Sequence, residues 1–168
     1  MRMIVSAVGD LPESLATQAR KIQEQAWPPA PGDAISGPDP GLEPVFMVLL
    51  DEDHDVVATL FVLRKRITRA GRGWYAGELS AVATRADLRG QGLGHELVVG
   101  AREEMASMGL DLGIFTCDRP LREFHQRAGW EELPGTVLVG GTPQEPFASD
   151  QSMKRASKTI HSDLRWAV

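Results

Sequence analysis

Glu78-Leu79-Ser80-Ala81-Val82-Ala83-Thr84-Arg85-Ala86-Asp87-Leu88-Arg89-Gly90-Gln91-Gly92-Leu93-Gly94 runs from an apolar segment through a glycine-spaced turn into the next element. Beyond the turn, Leu93, Leu97, Val98, Ala101, Met105 and Met108 recur at three- and four-residue steps, the period of one buried helical face, and Gly109 supplies the stop. The stretch therefore reads as strand, tight turn and helix. Glycines at alternate positions let backbone N–H groups crowd towards an anion, and the helix that starts there adds the positive end of its dipole, about 0.3 to 1 kcal/mol. Arg89 adds a charge-assisted contact at the rim. A dinucleotide fingerprint starting at Gly90 requires glycine where His95 stands, and a P-loop requires a Lys-Ser or Lys-Thr pair that this turn lacks. Two readings stay open on the turn alone: an anion cradle of another kind, and a strand-to-helix turn with no ligand.

Working outward, Trp74 to Thr84 forms the strand that enters the turn, and Leu112 to Cys117 forms a short buried strand after the helix. A strand, a crossover helix and a strand within about 40 residues make a βαβ unit with parallel strands, which places a ligand at the strand C-termini. A short helix over Pro120 to Ala128 follows, with Leu121, Phe124 and Ala128 inward and Gly129 as its end. Upstream, Met3 to Val8 reads as a first strand. Asp10, Pro12 and Glu13 read as a capped helix start ahead of Leu11, Leu15, Ile22 and Ala26, with the helix ending near Trp27. The Pro- and Gly-rich run from Pro28 to Pro44 reads as a long loop. Val45 to Leu50 and Val56 to Arg66 flank a turn at Asp51 to Asp55 as a hairpin, and Thr68 to Gly73 reads as a second turn. Val137 to Val139 reads as a sixth strand and Met153 to Ile160 as a faint seventh within an otherwise irregular tail, residues 149–168.

The 168 residues suit one domain spanning 1–168, and 42% hydrophobic with 24% charged residues is ordinary globular usage. A formal charge of −5 argues against a nucleic-acid footprint or an anionic-membrane surface. Cys117 is the only cysteine, so no intrachain disulfide forms, and with no signal-peptide pattern or run of roughly 20 apolar residues the expected location is cytoplasmic. His54, His95 and His161 lie far apart without ligand spacing, so no metal is expected.

Glu78 to Gly94 resembles the core motif of the GNAT superfamily of acyl-CoA-dependent acetyltransferases. Phe124-His125-Gln126-Arg127-Ala128-Gly129-Trp130 resembles that superfamily's second motif, usually an aromatic-Tyr-x-x-x-Gly-aromatic run, and both occur in the right order. The resemblance covers roughly residues 74 to 131. It implies an α/β fold, a central mixed sheet of six to seven strands with about four helices on its faces and a parallel pair at strands 4 and 5. It also implies acetyl-CoA as co-substrate, with Val82, Ala83 and Thr84 offering main-chain groups to the pantetheine arm. Arg89, Gly90, Gln91, Gly92, Leu93 and Gly94 would hold the pyrophosphate.

An amine attacks only when neutral, so a base is useful at pH 7. Glu78 is the first candidate, on the strand that resembles the family's catalytic strand; the alternative is a strand carboxylate paired with a surface Arg. Ser80, two residues on and on the same face, could orient the same water or substrate. A leaving thiolate, with an ordinary pKa of about 8.5, benefits from a proton donor. His125 stands where the family usually has tyrosine and can donate; the alternative is a histidine with no catalytic part. Cys117 reads as core.

Asp33, Asp39 and Glu43 in the long loop, with Asp51, Glu52, Asp53 and Asp55 in the next turn, read either as a solvated charge run or as an acidic lining that suits a small cationic amine acceptor. Arg85 to Gly90 and the terminal Asp163-Leu164-Arg165 resemble aminoglycoside 2'-N-acetyltransferases, which carry a glutamate where this chain has Ser80 and a different tail from Trp166-Ala167-Val168. Peptide N-terminal acetylation and non-catalytic CoA sensing are the rival functions, and the C-terminal region could serve a homodimer interface.

Overall fold

The computed structural model describes residues 1–29, 37–133, 139–141, 146–148 and 153–157, the last three stretches as backbone only. The strands are β1 (Arg2–Ala7), β2 (Val45–Leu50), β3 (Val56–Arg69), β4 (Arg72–Thr84), β5 (Leu112–Cys117), β6 (Glu131–Glu132), β7 (Val139–Gly141), β8 (Pro146–Ala148) and β9 (Met153–Ser157). The helices are α1 (Glu13–Ala26), α2 (Leu93–Ser107) and α3 (Arg122–Arg127), with single 3₁₀ turns at Pro40–Leu42, Ala86–Leu88 and Arg119–Leu121.

Seven strands form one mixed sheet in the order β1-β2-β3-β4-β5-β9-β6, and β7 pairs β8 separately. Only the β4–β5 pair is parallel among these ladders, as the βαβ reading requires. The β2–β3 hairpin turns where Asp51 Oδ1 accepts from the N–H groups of Asp53 and Asp55, the local side-chain closure that favours Asp in turns. The β3–β4 hairpin is longer than the sequence suggests. Arg69 pairs with Arg72, leaving Ala70 and Gly71 as a two-residue turn with both φ values positive, 49° and 76°. That geometry matches the right-handed twist of long flanking strands.

Alternation along the central strands divides the core. On one face Met47, Leu49, Leu60, Val62 and Leu79 pack under α2 through Leu97, Val98, Ala101 and Met105, and this cluster continues to Phe115 and Trp130. On the other, Phe46, Val48, Leu50, Phe61 and Leu63 meet Leu11, Ala19 and Ile22 of the α1 region. Beyond the reach of α1, Trp74, Ala76, Leu112 and Ile114 form a third cluster on that same side. Each fully buried large aliphatic contributes about 1.5 to 3 kcal/mol relative to exposure, so the period-two pattern of β2 to β4 is what seats the helices.

Several expected boundaries move. Pro12 occupies the N-cap of α1 with no side-chain cap, so the expected cap at Asp10 does not form, and Glu13 acts only as a first-turn acid. The single helix expected over Pro120 to Ala128 divides into a 3₁₀ turn and α3. The described residues hold three α-helices rather than about four. The sixth strand expected at Val137 to Val139 overlaps the described residues only at Val139, which belongs to the separate β7–β8 pair; residues 137 and 138 lie outside them. The seventh strand is present as β9, inserted between β5 and β6, and residues 158–168 lie outside the described set.

Candidate active site

The turn between β4 and α2 is built from backbone. Gly90 and Gly92 hold φ of 79° and 86°, the left-handed region in which a Cβ is costly. Gly92 is the N-cap of α2 and has no side chain to cap with, and the first helical bond runs from Glu96 N to the Gly92 carbonyl at 2.9 Å. The N–H groups of Leu93, Gly94 and His95 therefore precede the helical ladder, the arrangement that receives anions. Gly94 is needed for a different reason. A Cβ there would fall 2.7 Å from Thr84 Oγ1 and 3.6 Å from the Phe124 ring, so only glycine lets the helix start lie against the end of β4. Arg89 Nε donates to the Thr84 carbonyl at 3.3 Å, keeping its guanidinium beside the turn. Leu93 is buried and contributes only its backbone here, whereas Gln91 is exposed.

Strands β4 and β5 are in register only at Ala76↔Leu112 and Gly77↔Gly113. Beyond that rung their pairing stops, and β5 turns to β9 on its other edge. On the opposite edge of β4, Thr59 pairs Ala83 and Phe61 pairs Ser80, so Leu60 alone faces Ala81 and Val82. This is a β-bulge, with Ala81 at φ 50°, and bulges re-aim the residues that follow them. Val82, Ala83 and Thr84 thus lead from the bulge directly into the glycine turn.

Glu78 and Ser80 share the α1 face of β4, one pleat apart, about 6 to 7 Å along the strand. Glu78 is ion-paired with Lys65 of β3, and both side chains are largely sheltered. The partner is thus a lysine of the neighbouring strand rather than a surface arginine. Ser80 and Ala81 border a cavity of about 700 Å³ between α1 and the sheet. Its floor is the stacked pair Phe46 and Phe61, ring centroids 4.4 Å apart. Ala16, Arg20, Gln23 and Trp27 of the α1 segment line it at steps of four, three and four, one helical stripe. Gln23 Nε2 reaches Thr59 Oγ1 at 3.4 Å. Glu78 is adjacent along the strand but does not line the cavity.

His125 sits on the other side of the sheet. It is 3% exposed, its ring 4.7 Å from Phe115 and 4.9 Å from Phe124, with Trp130 edge-on to Phe115. The three candidate catalytic residues are therefore not one cluster. Glu78 and Ser80 lie on the α1 face, and His125 lies on the α2–α3 face beside the strand that parts from β4.

Three of the acidic residues are engaged elsewhere. Asp39 accepts from Gly41 N; Glu43 meets Arg64 and the Tyr75 hydroxyl; Asp51 closes its turn and lies 3.9 Å from Arg85. None lines the cavity, and Asp33 lies outside the described residues, as do His161, Asp163-Leu164-Arg165 and Trp166. Cys117 is buried in the core. Among the described residues no group of three or more His, Cys, Asp or Glu is disposed to hold a metal ion, and no helix is long and apolar enough to cross a membrane. Sequence reasoning missed Arg20, Phe46, Phe61 and Lys65, whereas Trp27 was one of four tryptophans expected in the core or a cleft. The Ala16-Arg20-Gln23-Trp27 stripe was the available signal, a second helical face beside the apolar one.

The model of the acetyltransferase (GNAT) domain family matches residues 8–133. The chain belongs to that family and is an acyltransferase of its type. A comparison with curated proteins gives no match. Among solved structures, an aminoglycoside 6'-N-acetyltransferase complexed with coenzyme A superposes with a TM-score of 0.64 at 16% identity, covering 94% of this chain and 98% of that one. Glucosamine-6-phosphate N-acetyltransferase from Arabidopsis thaliana gives 0.58 at 17% identity, covering 86% and 100%. An acyl-CoA N-acyltransferase from Pseudomonas aeruginosa gives 0.62 at 15% identity, covering 94% and 99%. At these identities the likeness is one of fold.

Proposed function

We propose that this chain transfers the acetyl group of acetyl-CoA to a small primary amine, by direct attack within a ternary complex. The observation that carries the reading is the convergence of three features on one end of β4. The uncapped glycine turn begins there, the β4–β5 ladder has already ended, and the bulge places Ser80 and Ala81 on the cavity.

The residues present fit the donor. Glycine at 90 and 92 exposes backbone donors, and a Cβ at Gly94 would intrude on Thr84. Arg89 to Gly94 hold the pyrophosphate, and main-chain groups of Val82, Ala83 and Thr84 meet the pantetheine arm. When bound, acetyl-CoA supplies an acyl carbon whose C–S bond breaks as the C–N bond forms, the sulfur leaving with the electron pair. Backbone N–H groups of β4 stabilise the negative charge that develops on the acyl oxygen. The acceptor arrives as an ammonium cation. Glu78 accepts its proton, directly or through water, and Ser80 orients the same water or amine. The second proton that the nitrogen sheds as the amide forms passes to water, and His125 would give a proton to the departing sulfur through the opening where β4 and β5 no longer pair.

Two measurements test this. Saturating acetyl-CoA should stabilise the full chain in a thermal-shift titration, by about 2.7 kcal/mol at a hundred times Kd. A thiol-release assay against amines, aminoglycosides and peptides should then find turnover with a small amine. Absence of stabilisation by both acetyl-CoA and CoA refutes the donor assignment; binding without turnover on any acceptor favours the sensor reading, and turnover confined to peptides favours the N-terminal acetyltransferase.

A further inference from the structure

We infer that the acceptor is an amine with an apolar body that also carries a carboxylate, and that Arg20 is the residue that selects it. This rests on the transferase reading above and concerns the chemistry of the cavity at Ser80. Among the described residues lining that cavity, Arg20 is the only ionisable one. The ion pairs found among the described residues leave Arg20 out, and Asp10 and Glu24, described acidic residues beside the wall in sequence, pair with it in none of them and do not line the cavity.

The remaining surface is apolar. Phe46 and Phe61 form a stacked floor, Leu11 and Ala16 form one wall, and Trp27 is 54% exposed at the cavity, an unusual exposure for the largest apolar side chain. A volume of about 700 Å³ suits a small molecule. Apolar walls beside one exposed guanidinium that forms no ion pair among the described residues select a ligand that brings its own anion, because the fork of an arginine matches a carboxylate bidentately. A polyamine or an aminoglycoside would instead set further positive charges against Arg20. A peptide N-terminus presents an amide where the carboxylate is needed.

The test uses the full-length chain saturated with CoA and matched pairs of amines: phenylalanine with phenethylamine, leucine with isopentylamine, and tryptophan with tryptamine, alongside spermidine and an aminoglycoside. Equilibrium binding is measured by calorimetry, and acetyl transfer separately by thiol release with acetyl-CoA. The expected result is that the carboxylated member of a pair binds about tenfold to a hundredfold more tightly than its partner. Arg20→Gln should erase that difference while leaving the acetyl-CoA thermal shift unchanged, which also confirms that the variant folds. The inference is overturned if no carboxylated amine binds, if the preference survives in Arg20→Gln, or if spermidine or the aminoglycoside binds most tightly. Arg20-dependent binding without thiol release upholds this inference and overturns the transferase reading; turnover only of amines lacking a carboxylate does the reverse.

Discussion

Gly77 and Gly113 face each other at the last rung of the parallel ladder between β4 and β5, and neither has room for a side chain. A Cβ on Gly113 would fall 2.8 Å from the Trp130 ring and 3.1 Å from Met105 Sδ; one on Gly77 would fall 2.7 Å from Leu110 Cδ1 and 3.2 Å from the same sulfur. Helix α2 therefore presses on the sheet where the two strands cease to pair. The obstacles differ in kind: Trp130 is wedged edge-on against Phe115, whereas Leu110 Cδ1 is the end of a flexible aliphatic chain. Gly113→Ala should lower stability by about 1 to 3 kcal/mol through overpacking, and Gly77→Ala should cost less. Denaturant midpoints of the two variants decide it, and equal losses would sink the argument.

The glycines of the turn should fail for separable reasons. At Gly92 nothing lies within 4 Å of a built Cβ, so Gly92→Ala carries only the cost of a positive φ, about 1 to 2 kcal/mol, and Gly92→Asn should recover part of it. At Gly94 the backbone is helical and the obstacle is Thr84 Oγ1. Gly94→Ala should therefore be relieved in a Thr84→Ala background, with a coupling of about 0.5 to 3 kcal/mol in a double-mutant cycle. Additive losses would show that Thr84 is not the obstacle.

Glu78→Gln should lower turnover by about a hundredfold to ten-thousandfold while acetyl-CoA binding is kept, the usual range for loss of a positioned base. Lys65→Met should reduce turnover less, since Lys65 holds the carboxylate through the ion pair and takes no proton itself. Steady-state kinetics with both variants check the order. A Glu78→Gln enzyme as active as the parent would leave Glu78 as the ion-pair partner of Lys65 and nothing more.

His125→Phe should fold, because the ring it replaces is already enclosed by Phe115 and Phe124, with the larger ring costing about 1 to 3 kcal/mol through overpacking. Turnover should fall with little change in acetyl-CoA binding. Unchanged kcat in a folded variant removes the histidine from the chemistry and leaves it a core residue.

Much of the fold is legible in local sequence. The limits of β2 and β5 coincide with the apolar runs at Val45–Leu50 and Leu112–Cys117, because turn residues bound each run and burial holds it. The long β3–β4 hairpin was less legible. Arg66 to Arg72 is polar or charged at most positions, and the strands persist there through cross-strand pairing rather than through an apolar face. The β5–β9–β6 edge was nearly illegible, since β9 pairs with β5 across a long chain separation that no local pattern records.

The residues by themselves determined the strand, glycine turn and helix start at the end of β4, and with the flanking motifs they carried the resemblance to the acetyltransferase family. A glycine turn between strand and helix is a local backbone device, so Arg89 to Gly94 could be recognised before any packing was known. Tertiary structure alone decided what lines the cavity beside Ser80. The bulge at Ala81 puts Ser80 and Ala81 on one cavity, α1 brings Arg20 and Trp27 across to it, and Asp39, Glu43 and Asp51 are drawn into turns and ion pairs elsewhere. A cavity wall assembled from four separate elements depends on how they pack, and charge counted along a chain does not say which charges will face each other.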